Sequence, residues 1–277
     1  MSSRADIADH YAKGDLFTRI QAALRDDGVD PDRAGVAALA PYDQFHGRGL
    51  EVTEEIAGAL SVAPGDHLLD VGSGIGGPAR YFAERFGCRV TGIDLTEEFC
   101  QVAQHLNALT GLEERVRIHQ GNALAMPFET ASFDGAYSMN VSMNIADRAA
   151  LYGEIRRVLK PGGWLVLSEI ALGPGGPLDY PTPWAETAAA SFLTTPEQTA
   201  EALQASGFAD ITWRDTREEA LAFGARSRAL VERGEKPPHR AVQIVHGDTA
   251  AAMAANMSRG LAQEAILPIE VFCRKPG

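Results

Sequence analysis

The segment DHLLDVGSGIG, residues 66–76, contains a glycine-rich turn, and two carboxylates near it, Asp70 and Asp94, could bind a ligand. Asp70 ends an apolar strand pattern, and the glycines that follow let the backbone approach a ligand closely. Asp94 ends the next strand pattern about 20 residues after the loop, where an acid accepts hydrogen bonds from ribose hydroxyls. Because a carboxylate repels a pyrophosphate and attracts an ammonium or sulfonium group, Asp70 favours a ligand whose reactive end is positively charged. Asp94 alone does not separate a nicotinamide dinucleotide from such a ligand.

The composition is typical of a globular protein and limits the classes of partner. The chain has 277 residues, 45% of them hydrophobic and 22% charged, with a net charge of −12. A binder of duplex nucleic acid usually has a basic face, so this balance argues against nucleic acid as a partner. The three cysteines have no metal-ligand spacing, which predicts free thiols and no metal site. With no apolar run of about 18 residues and a polar start, we expect a cytoplasmic protein that binds no membrane.

Strand and helix patterns alternate along the middle of the chain, which predicts a parallel sheet with crossover helices. After the first strand, further strand patterns are predicted at 88–95, 115–124, 133–141, 164–172, 209–214 and 266–275. Residues 1–60, 173–194 and 216–264 fall outside the alternation. Open parallel sheets bind ligands at the carboxyl ends of their strands, and we expect these three segments to cover that edge. We therefore predict an N-terminal helical cap segment at 1–60, and a core at 61–277 with cap insertions at 173–194 and 216–264.

Five motifs in this order and spacing resemble the class I S-adenosylmethionine-dependent methyltransferases. They are LLDVGSGIG, VTGIDLT, GNALAMPF, SFDGAYS and EIRRVLKPGGWLVLSE. The resemblance covers roughly residues 40–275 and is most specific in 66–172. It implies an α/β fold, a Rossmann-like, doubly wound, seven-stranded sheet whose last strand is antiparallel, with a mainly helical cap. It also implies S-adenosylmethionine as methyl donor, S-adenosylhomocysteine as product, and no metal.

The same resemblance implies the cofactor contacts. They are Gln44, Asp70, Gly72, Ser73, Gly74, Asp94, Leu95, Asn122, Ala123 and Ser138. The family usually has Asp at the position of Asn122, and we expect the Asn carbonyl to accept the adenine amine there. Asn140 follows the fourth strand and is expected near the reacting methyl group, where many relatives have His.

The stretch PYDQFHGRG, residues 41–49, resembles the cap of small-molecule methyltransferases that act on sarcosine and dimethylglycine, phosphoethanolamine, tocopherols or sugars. The catalytic candidates are His46 and Asn140. The substrate-binding candidates are Tyr42, Phe45, Met143, Tyr180, Trp184, Phe192 and Arg226, because converging aromatic rings bind an ammonium group and Arg226 can neutralise a carboxylate. For each of them, packing or solvent exposure is the alternative role.

Several functions stay open at this point. Methylation of a small-molecule amine is favoured, because a neutral amine needs no base during the transfer. O- or C-methylation with His46 as base is the first alternative, and a non-catalytic S-adenosylmethionine-binding regulator is another. SMNVSMN (138–144), where amino-group DNA methyltransferases carry a Pro-Pro pair, argues against nucleic-acid methylation. Asp70 and the LKPGG segment argue against a nicotinamide oxidoreductase. The acceptor and the oligomeric state, including a homodimer, are left undetermined.

Overall fold

The computed structural model describes residues 10–11 and 14–277, so residues 1–9 and 12–13 of the predicted cap segment lie outside the described residues. Seven strands form one sheet. They are β1 (His67–Val71), β2 (Arg89–Asp94), β3 (Val116–Gln120), β4 (Phe133–Met139), β5 (Leu159–Leu172), β6 (Ala209–Asp215) and β7 (Ile266–Arg274). The strand order is β3-β2-β1-β4-β5-β7-β6. β7 runs antiparallel to both of its neighbours, β5 and β6. The predicted fold class is therefore confirmed.

Helices cover both faces of the sheet and the edge where the strands end. They are α1 (Leu16–Asp26), α2 (Val36–Asp43), α3 (Leu50–Ala59), α4 (Gly77–Phe86), α5 (Glu97–Leu109), α6 (Arg148–Val158), α7 (Pro196–Ala205), α8 (Arg217–Glu232), α9 (Ala241–His246) and α10 (Ala250–Ala262). One apolar cluster packs α6 and α7 on the sheet, and a second packs α4 and α5 on it. No helix in the part of the chain that the structure describes is both long and apolar enough to cross a bilayer.

Local sequence signals explain where several helices begin. The Asp147 side chain accepts a hydrogen bond from the Ala150 N–H at 2.9 Å, and so caps α6. Thr195 and Gln198 form a capping box at the start of α7. Thr96 lies at the N-cap of α5, but its side chain makes no capping bond. The Asp94 carboxylate accepts the Thr96 N–H instead, at 2.9 Å, so this helix start is tied to the end of β2.

The strand predicted at 164–172 begins earlier than expected. β5 begins at Leu159 and includes the KPGG segment, 160–163. The Gly162 N–H donates to the Lys275 carbonyl at 2.9 Å, and the Lys275 N–H donates to the Gly163 carbonyl at 2.8 Å. These hydrogen bonds extend the pairing with the C-terminal end of the chain. A proline and two glycines therefore sit in an irregular start of a strand, where the local signal alone indicates a turn.

The described part of the N-terminal segment packs over the carboxyl edge of the sheet. Leu16, Ile20 and Leu24 of α1 share one apolar cluster with Phe99 and Leu106 of α5. A second contact comes from the late insertion. Its middle part is held there by a hydrogen bond, in which the Arg240 N–H donates to the Pro41 carbonyl at 2.7 Å. We name the described part of 1–60, together with 173–194 and 216–264, the cap; that it forms a unit separate from the core stays a prediction.

Candidate functional site

A cavity of about 310 Å³ lies at the carboxyl ends of β1, β2 and β4, beneath the cap. Its lining includes twelve of the residues predicted for the site. They are Phe45, His46, Asp70, Gly72, Ser73, Gly74, Asp94, Leu95, Asn122, Ala123, Asn140 and Phe192. The structure therefore brings both predicted catalytic candidates and most of the predicted cofactor contacts to one place.

Three polar side chains lie at the carboxyl ends of three neighbouring strands. Asp70 is the fourth residue of β1, Asp94 is the last residue of β2, and Asn122 follows β3 by two residues. The three strands are adjacent in the sheet, in the order β3-β2-β1. Since adjacent strands are about 4.8 Å apart, an elongated ligand along this edge meets the three side chains one after another.

The glycine loop after β1 is held by the end of β2. Gly72 and Gly74 have φ values of 72° and 52°, in the region that favours glycine. The Gly74 N–H donates to one oxygen of the Asp94 carboxylate at 2.8 Å, while the Thr96 N–H donates to the other. Asp94 thus fixes both the loop and the start of α5, and its burial raises the pKa of its carboxyl group.

Several buried polar atoms around the loop have no hydrogen-bond partner within the described part of the chain. Among the lining residues they are Asp70 Oδ2, Ser73 Oγ and Asn122 Nδ2, and Ser138 Oγ lies nearby in the sequence of β4. Burial raises the pKa of Asp70 to about 8. Because an unpaired buried polar group costs about 1–3 kcal/mol, such a group is rare unless something else supplies its partner. The pattern is typical of a ligand site.

The charges of the lining have one sign. Asp43, Asp70, Asp94 and Asp147 line the cavity, and none of the lining residues that the structure describes is Lys or Arg. The Asp43 carboxylate is paired with Arg80 at 2.9 Å, and both side chains are fully buried. The remaining carboxylates favour a ligand with positive charge. Among the described residues, no group of three or more His, Cys, Asp or Glu is placed to hold a metal ion.

His46 lines the cavity but is enclosed by neighbours. Its Nε2 lies 3.3 Å from Gln44 Oε1 and 3.2 Å from Thr53 Oγ1, and its Nδ1 lies 3.3 Å from the Gly47 carbonyl oxygen. Burial lowers the pKa of His46 to about 3. The ring is therefore neutral at physiological pH and a weak base.

Comparison with known proteins agrees with this geometry. Residues 69–167 match the family described as Methyltransferase domain. This match spans 99 of the 277 residues. Over 125 residues it is 44% identical to 24-methylenesterol C-methyltransferase 2 of Oryza sativa, which covers 45% of this chain and 34% of that protein. Over 170 residues it is 30% identical to methyltransferase GfsG of Streptomyces halstedii, covering 60% and 58%. The matches thus span less than two thirds of these relatives.

The fold is shared over a greater length than the sequence. The structure of phosphoethanolamine N-methyltransferase 2 of Haemonchus contortus, in complex with phosphomonomethylethanolamine and S-adenosylhomocysteine, superposes with a TM-score of 0.76. It covers 98% of this chain and 61% of the other chain, at 21% identity. At this identity the likeness shows the fold alone.

An aromatic wall closes the cap side of the cavity. Tyr11, Phe45, Phe99 and Phe192 line the cavity. The ring centroids of Tyr11 and Phe45 are 5.9 Å apart, and those of Phe45 and Phe99 are 6.1 Å apart. Phe99 was not predicted as a site residue, and the structure places it both in the packing of α5 and at the cavity. Its position one turn after the strand end that carries Asp94 is the signal that identifies it.

Two further lining residues come from stretches already noted in the sequence. Asp43 belongs to PYDQFHGRG and Asn144 to SMNVSMN, yet neither was predicted as a site residue. The Asn144 amide oxygen accepts a hydrogen bond from the Tyr11 hydroxyl at 3.4 Å, which connects the loop after β4 to the cap. Asn140 also reaches the cap, since its amide oxygen lies 3.5 Å from the Gly47 N–H. Its φ of 57° is left-handed, a conformation that Asn tolerates better than most residues.

Seven of the predicted residues do not line the cavity. Gln44 and Ser138 are buried directly behind it, Gln44 against Thr53 and His46. The Tyr42 hydroxyl donates to the Ala23 carbonyl at 3.1 Å and accepts from Arg240 at 2.7 Å. Tyr42 therefore connects α1 and α2 to the late insertion.

The other four lie in different surroundings. Met143, Tyr180 and Trp184 belong to a separate apolar cluster under the 173–194 insertion. The Trp184 indole N–H donates to Ser191 Oγ at 2.9 Å, inside the same insertion. Arg226 is half-exposed on α8 and pairs with Glu51 at 2.8 Å. The structure thus gives these residues packing or surface pairing, and their contact with a substrate stays a prediction.

Proposed function

We propose that the protein transfers a methyl group from S-adenosylmethionine to a small-molecule acceptor. The observation that carries this proposal is the row of buried, unpartnered polar atoms beside a cavity without cations, Asp70 Oδ2, Ser73 Oγ and Asn122 Nδ2. A cationic ligand with several polar groups supplies the partners that these atoms lack. The methyltransferase domain at 69–167 and its relatives support the same donor.

The residues fit the donor in chemical type. Asp70 and Ser73 are placed for the charged methionine end, Asp94 for the ribose, and the apolar side chains of Leu95 and Ala123 for the base. Gly72 and Gly74 leave room for close approach of the ligand to the backbone. When bound, S-adenosylmethionine supplies a methyl group already activated by its sulfonium. The chain has then to orient the acceptor and exclude water, which is a large part of catalysis in such transfers.

We infer that the acceptor atom is an amine nitrogen. A hydroxyl group profits from a base with a pKa near the working pH. His46 is the only histidine that lines the cavity in the described part of the chain, and its pKa of about 3 makes it a poor base. Asn140 has no titratable proton. A neutral amine needs orientation alone, and the rings of Phe45 and Phe192 suit the ammonium that forms.

A carbon acceptor is the second candidate. The high identity to a plant sterol C-methyltransferase and the aromatic wall of the cavity favour it, because aromatic faces also stabilise a carbocation. For either acceptor we expect no phosphate or carboxylate close to the reacting atom, since the described lining has no Lys or Arg to pair with one. Phosphoethanolamine and sarcosine are therefore expected to be poor acceptors.

A binding experiment tests the donor. S-adenosylhomocysteine at 100 times its dissociation constant should stabilise the folded protein by about 2.7 kcal/mol, which is measured as a rise in melting temperature. The oxidised dinucleotide NAD serves as control, because its pyrophosphate faces the carboxylates of the cavity. A rise with NAD and none with S-adenosylhomocysteine would contradict the proposal.

A labelling experiment separates transfer from binding alone. The protein is incubated with methyl-labelled S-adenosylmethionine and a metabolite extract, and the labelled products are analysed by mass spectrometry. A product labelled on nitrogen supports the favoured acceptor, and one labelled on carbon supports the second candidate. Tight binding of the donor with no labelled product in any extract would instead support a non-catalytic regulator.

A further inference from the structure

Tyr137 lies beside Asp70 in the sheet, although it does not line the cavity. The two residues are direct partners in the parallel pairing of β1 and β4. Partners on neighbouring strands point to the same face of a sheet. Leu68 and Tyr137 belong to the apolar cluster that packs α4 and α5, and Asp70 follows Leu68 by two residues. The structure therefore places a phenol next to the first acid of the glycine loop.

The ring of Tyr137 is held in place by its packing. It is fully buried and stacks on Phe82 of α4, with ring centroids 4.6 Å apart and ring planes inclined by 13°. Its hydroxyl oxygen completes no hydrogen bond with a residue that the structure describes, and the same holds for Asp70 Oδ2. A phenol hydroxyl donates, and an ionised carboxylate only accepts. Each of these two neighbours can thus supply the partner that the other lacks.

The charged and polar groups around Asp70 act in opposite directions. Burial raises the pKa of Asp70 most, and the Asp94 carboxylate raises it further, while the Tyr137 hydroxyl and the Arg80 guanidinium lower it. Arg80 already donates to the Asp43 carboxylate at 2.9 Å. Burial, together with the charge of Asp70, raises the pKa of Tyr137 itself. The phenol therefore keeps its proton and is available as a donor to Asp70.

We propose that Tyr137 is a positioning residue for the methyl donor, whose hydroxyl donates to the Asp70 carboxylate and orients it toward the charged methionine end. This inference rests on the proposed function. Tyr137 acts through Asp70, because its own side chain does not line the cavity. When a cationic ligand binds, Asp70 releases its proton to the solvent, and the hydroxyl completes its bond to the charged oxygen. A hydrogen bond of this kind favours the ionised form of an acid.

The first measurement uses the protein without a ligand. Tyr137→Phe removes the hydroxyl and keeps the ring that stacks on Phe82. The Asp70 carboxyl is titrated by NMR in protein labelled with 13C-aspartate, and its signal is assigned with Asp70→Asn. We expect the midpoint of the Asp70 titration to lie about one pH unit higher in Tyr137→Phe than in the wild type, since the charged form has lost a donor. An unchanged midpoint would overturn the inference.

The second measurement follows the affinity for S-adenosylhomocysteine against pH by isothermal titration calorimetry. Below its midpoint, the ionised fraction of Asp70 limits the affinity. Tyr137→Phe should therefore bind about tenfold more weakly than the wild type at pH 7, and less than about twofold more weakly at pH 9.5, where both proteins have an ionised Asp70. A loss by the same factor at both pH values would mean that Tyr137 is only a packing residue.

Tyr152→Phe is the matched control. Tyr152 is also fully buried, but it belongs to the cluster that packs α6, and its hydroxyl accepts from Arg148 at 3.3 Å. This variant should change neither the Asp70 midpoint nor the pH dependence of binding, and an equal shift in both variants would contradict a specific role of Tyr137. Thermal unfolding verifies that each variant is folded. Failure of the wild type to bind S-adenosylhomocysteine would contradict the proposed donor, whereas the titration of the free protein would still decide the contact between Tyr137 and Asp70.

Discussion

The carboxyl edge of β1–β3 and the contact between cap and core differ in whether their polar groups have partners. We name this contact the seam; it contains Asp43, Arg48, Glu55, Arg80, Arg214 and Glu270. At the edge, Asp70, Ser73 and Asn122 each keep a buried polar atom without a partner in the described part of the chain. At the seam, Arg48 donates to both oxygens of Glu55 at 2.8 and 2.7 Å, and lies 3.4 Å from Glu270. Arg48 and Glu270 are buried and charged, as Asp70 is at the edge, so burial of a charged group alone does not distinguish a ligand site from a structural contact.

The two regions differ in where the partners of their charged side chains come from. Arg214 on β6 adds bonds to Glu55, Glu219 and Glu270 at 2.9–3.2 Å, so that the seam pairs its charges inside the chain. At the edge, the unpartnered atoms of Asp70, Ser73 and Asn122 belong to residues that line one cavity. We infer that the seam holds the cap in place, while the edge binds the proposed methyl donor.

The largest expected effect comes from breaking a paired group in the seam. Arg80 is fully buried on α4 and bonds Asp43 Oδ2 at 2.9 Å, the Ile75 carbonyl at 2.7 Å and Asn107 Oδ1 at 2.8 Å. Arg80→Met leaves the Asp43 carboxylate buried and unpaired, which typically costs about 3–5 kcal/mol. We expect the free energy of unfolding in urea to fall by that amount.

Two further variants sharpen this test of the seam. Arg85→Met changes an exposed arginine on the same helix and should cost less than about 0.5 kcal/mol. Combining Arg80→Met with Asp43→Leu removes both charges and should recover part of the lost stability. Equal unfolding free energies for Arg80→Met and Arg85→Met would mean that the buried pair does not hold the cap to the glycine loop.

The next effect concerns Asp94, which combines a structural role with an expected ligand contact. Asp94 is predicted to bind the ribose, and it also accepts the Gly74 and Thr96 N–H groups. Asp94→Ala removes the hydrogen bonds from the Gly74 and Thr96 N–H groups, together with the expected bond from the ribose, and loosens the loop. We expect the dissociation constant for S-adenosylhomocysteine to rise about 100-fold, or about 2.7 kcal/mol, by calorimetry. The exposed Asp248→Ala is the control, and equal losses in both variants would count against the ribose assignment.

A smaller effect follows from the burial of Asp70. Burial raises the pKa of its carboxyl group to about 8, so that the group is mostly protonated below that pH. A ligand ammonium binds the ionised form, and a proton must leave when the ligand binds below pH 8. The affinity for S-adenosylhomocysteine should therefore rise with pH, by up to about tenfold per unit between pH 6 and 8, and level off above.

Asp70→Asn tests this linkage with an isosteric side chain that does not titrate. It should bind the ligand more weakly at pH 8 and lose the pH dependence between pH 6 and 8. Calorimetry in two buffers with different ionisation enthalpies measures the released proton directly. An unchanged pH dependence in Asp70→Asn would assign the titrating group elsewhere and leave Asp70 without its proposed role.

The sequence predicted the edge far better than the seam, for a physical reason. Asp70, Asp94 and Asn122 each lie within two residues of the carboxyl end of a strand, so the parallel pairing of these strands brings them to one edge of the sheet. Tyr42 and Arg226 depend instead on how helices from distant parts of the chain meet. Arg240 is 198 residues from Tyr42 along the chain and donates to its hydroxyl. No local pattern specifies such a contact.

Two other residues show what local patterns leave out. His46 was predicted as a possible base, and only the fold shows the burial that lowers its pKa to about 3. Asn122 was expected to accept through its carbonyl, and the structure adds that the same oxygen accepts the Leu124 N–H. Both residues line the cavity, and their protonation or hydrogen bonding depends on neighbours that only the fold supplies.

The smallest expected effect is that of Arg226, a predicted substrate contact whose side chain is paired at the surface. Arg226 and Glu51 join α8 to the N-terminal end of α3 at 2.8 Å, with side chains 56% and 42% exposed. Exposed pairs of this kind contribute about 0–1 kcal/mol, so Arg226→Ala should change the unfolding free energy by less than about 0.5 kcal/mol and leave the affinity for S-adenosylhomocysteine unchanged. Once a labelled acceptor is identified, its KM should also be unaffected. A KM raised about tenfold, equivalent to about 1.4 kcal/mol, with donor affinity intact would return Arg226 to the acceptor site, and would show that a paired group in the cap can still exchange its partner for a ligand.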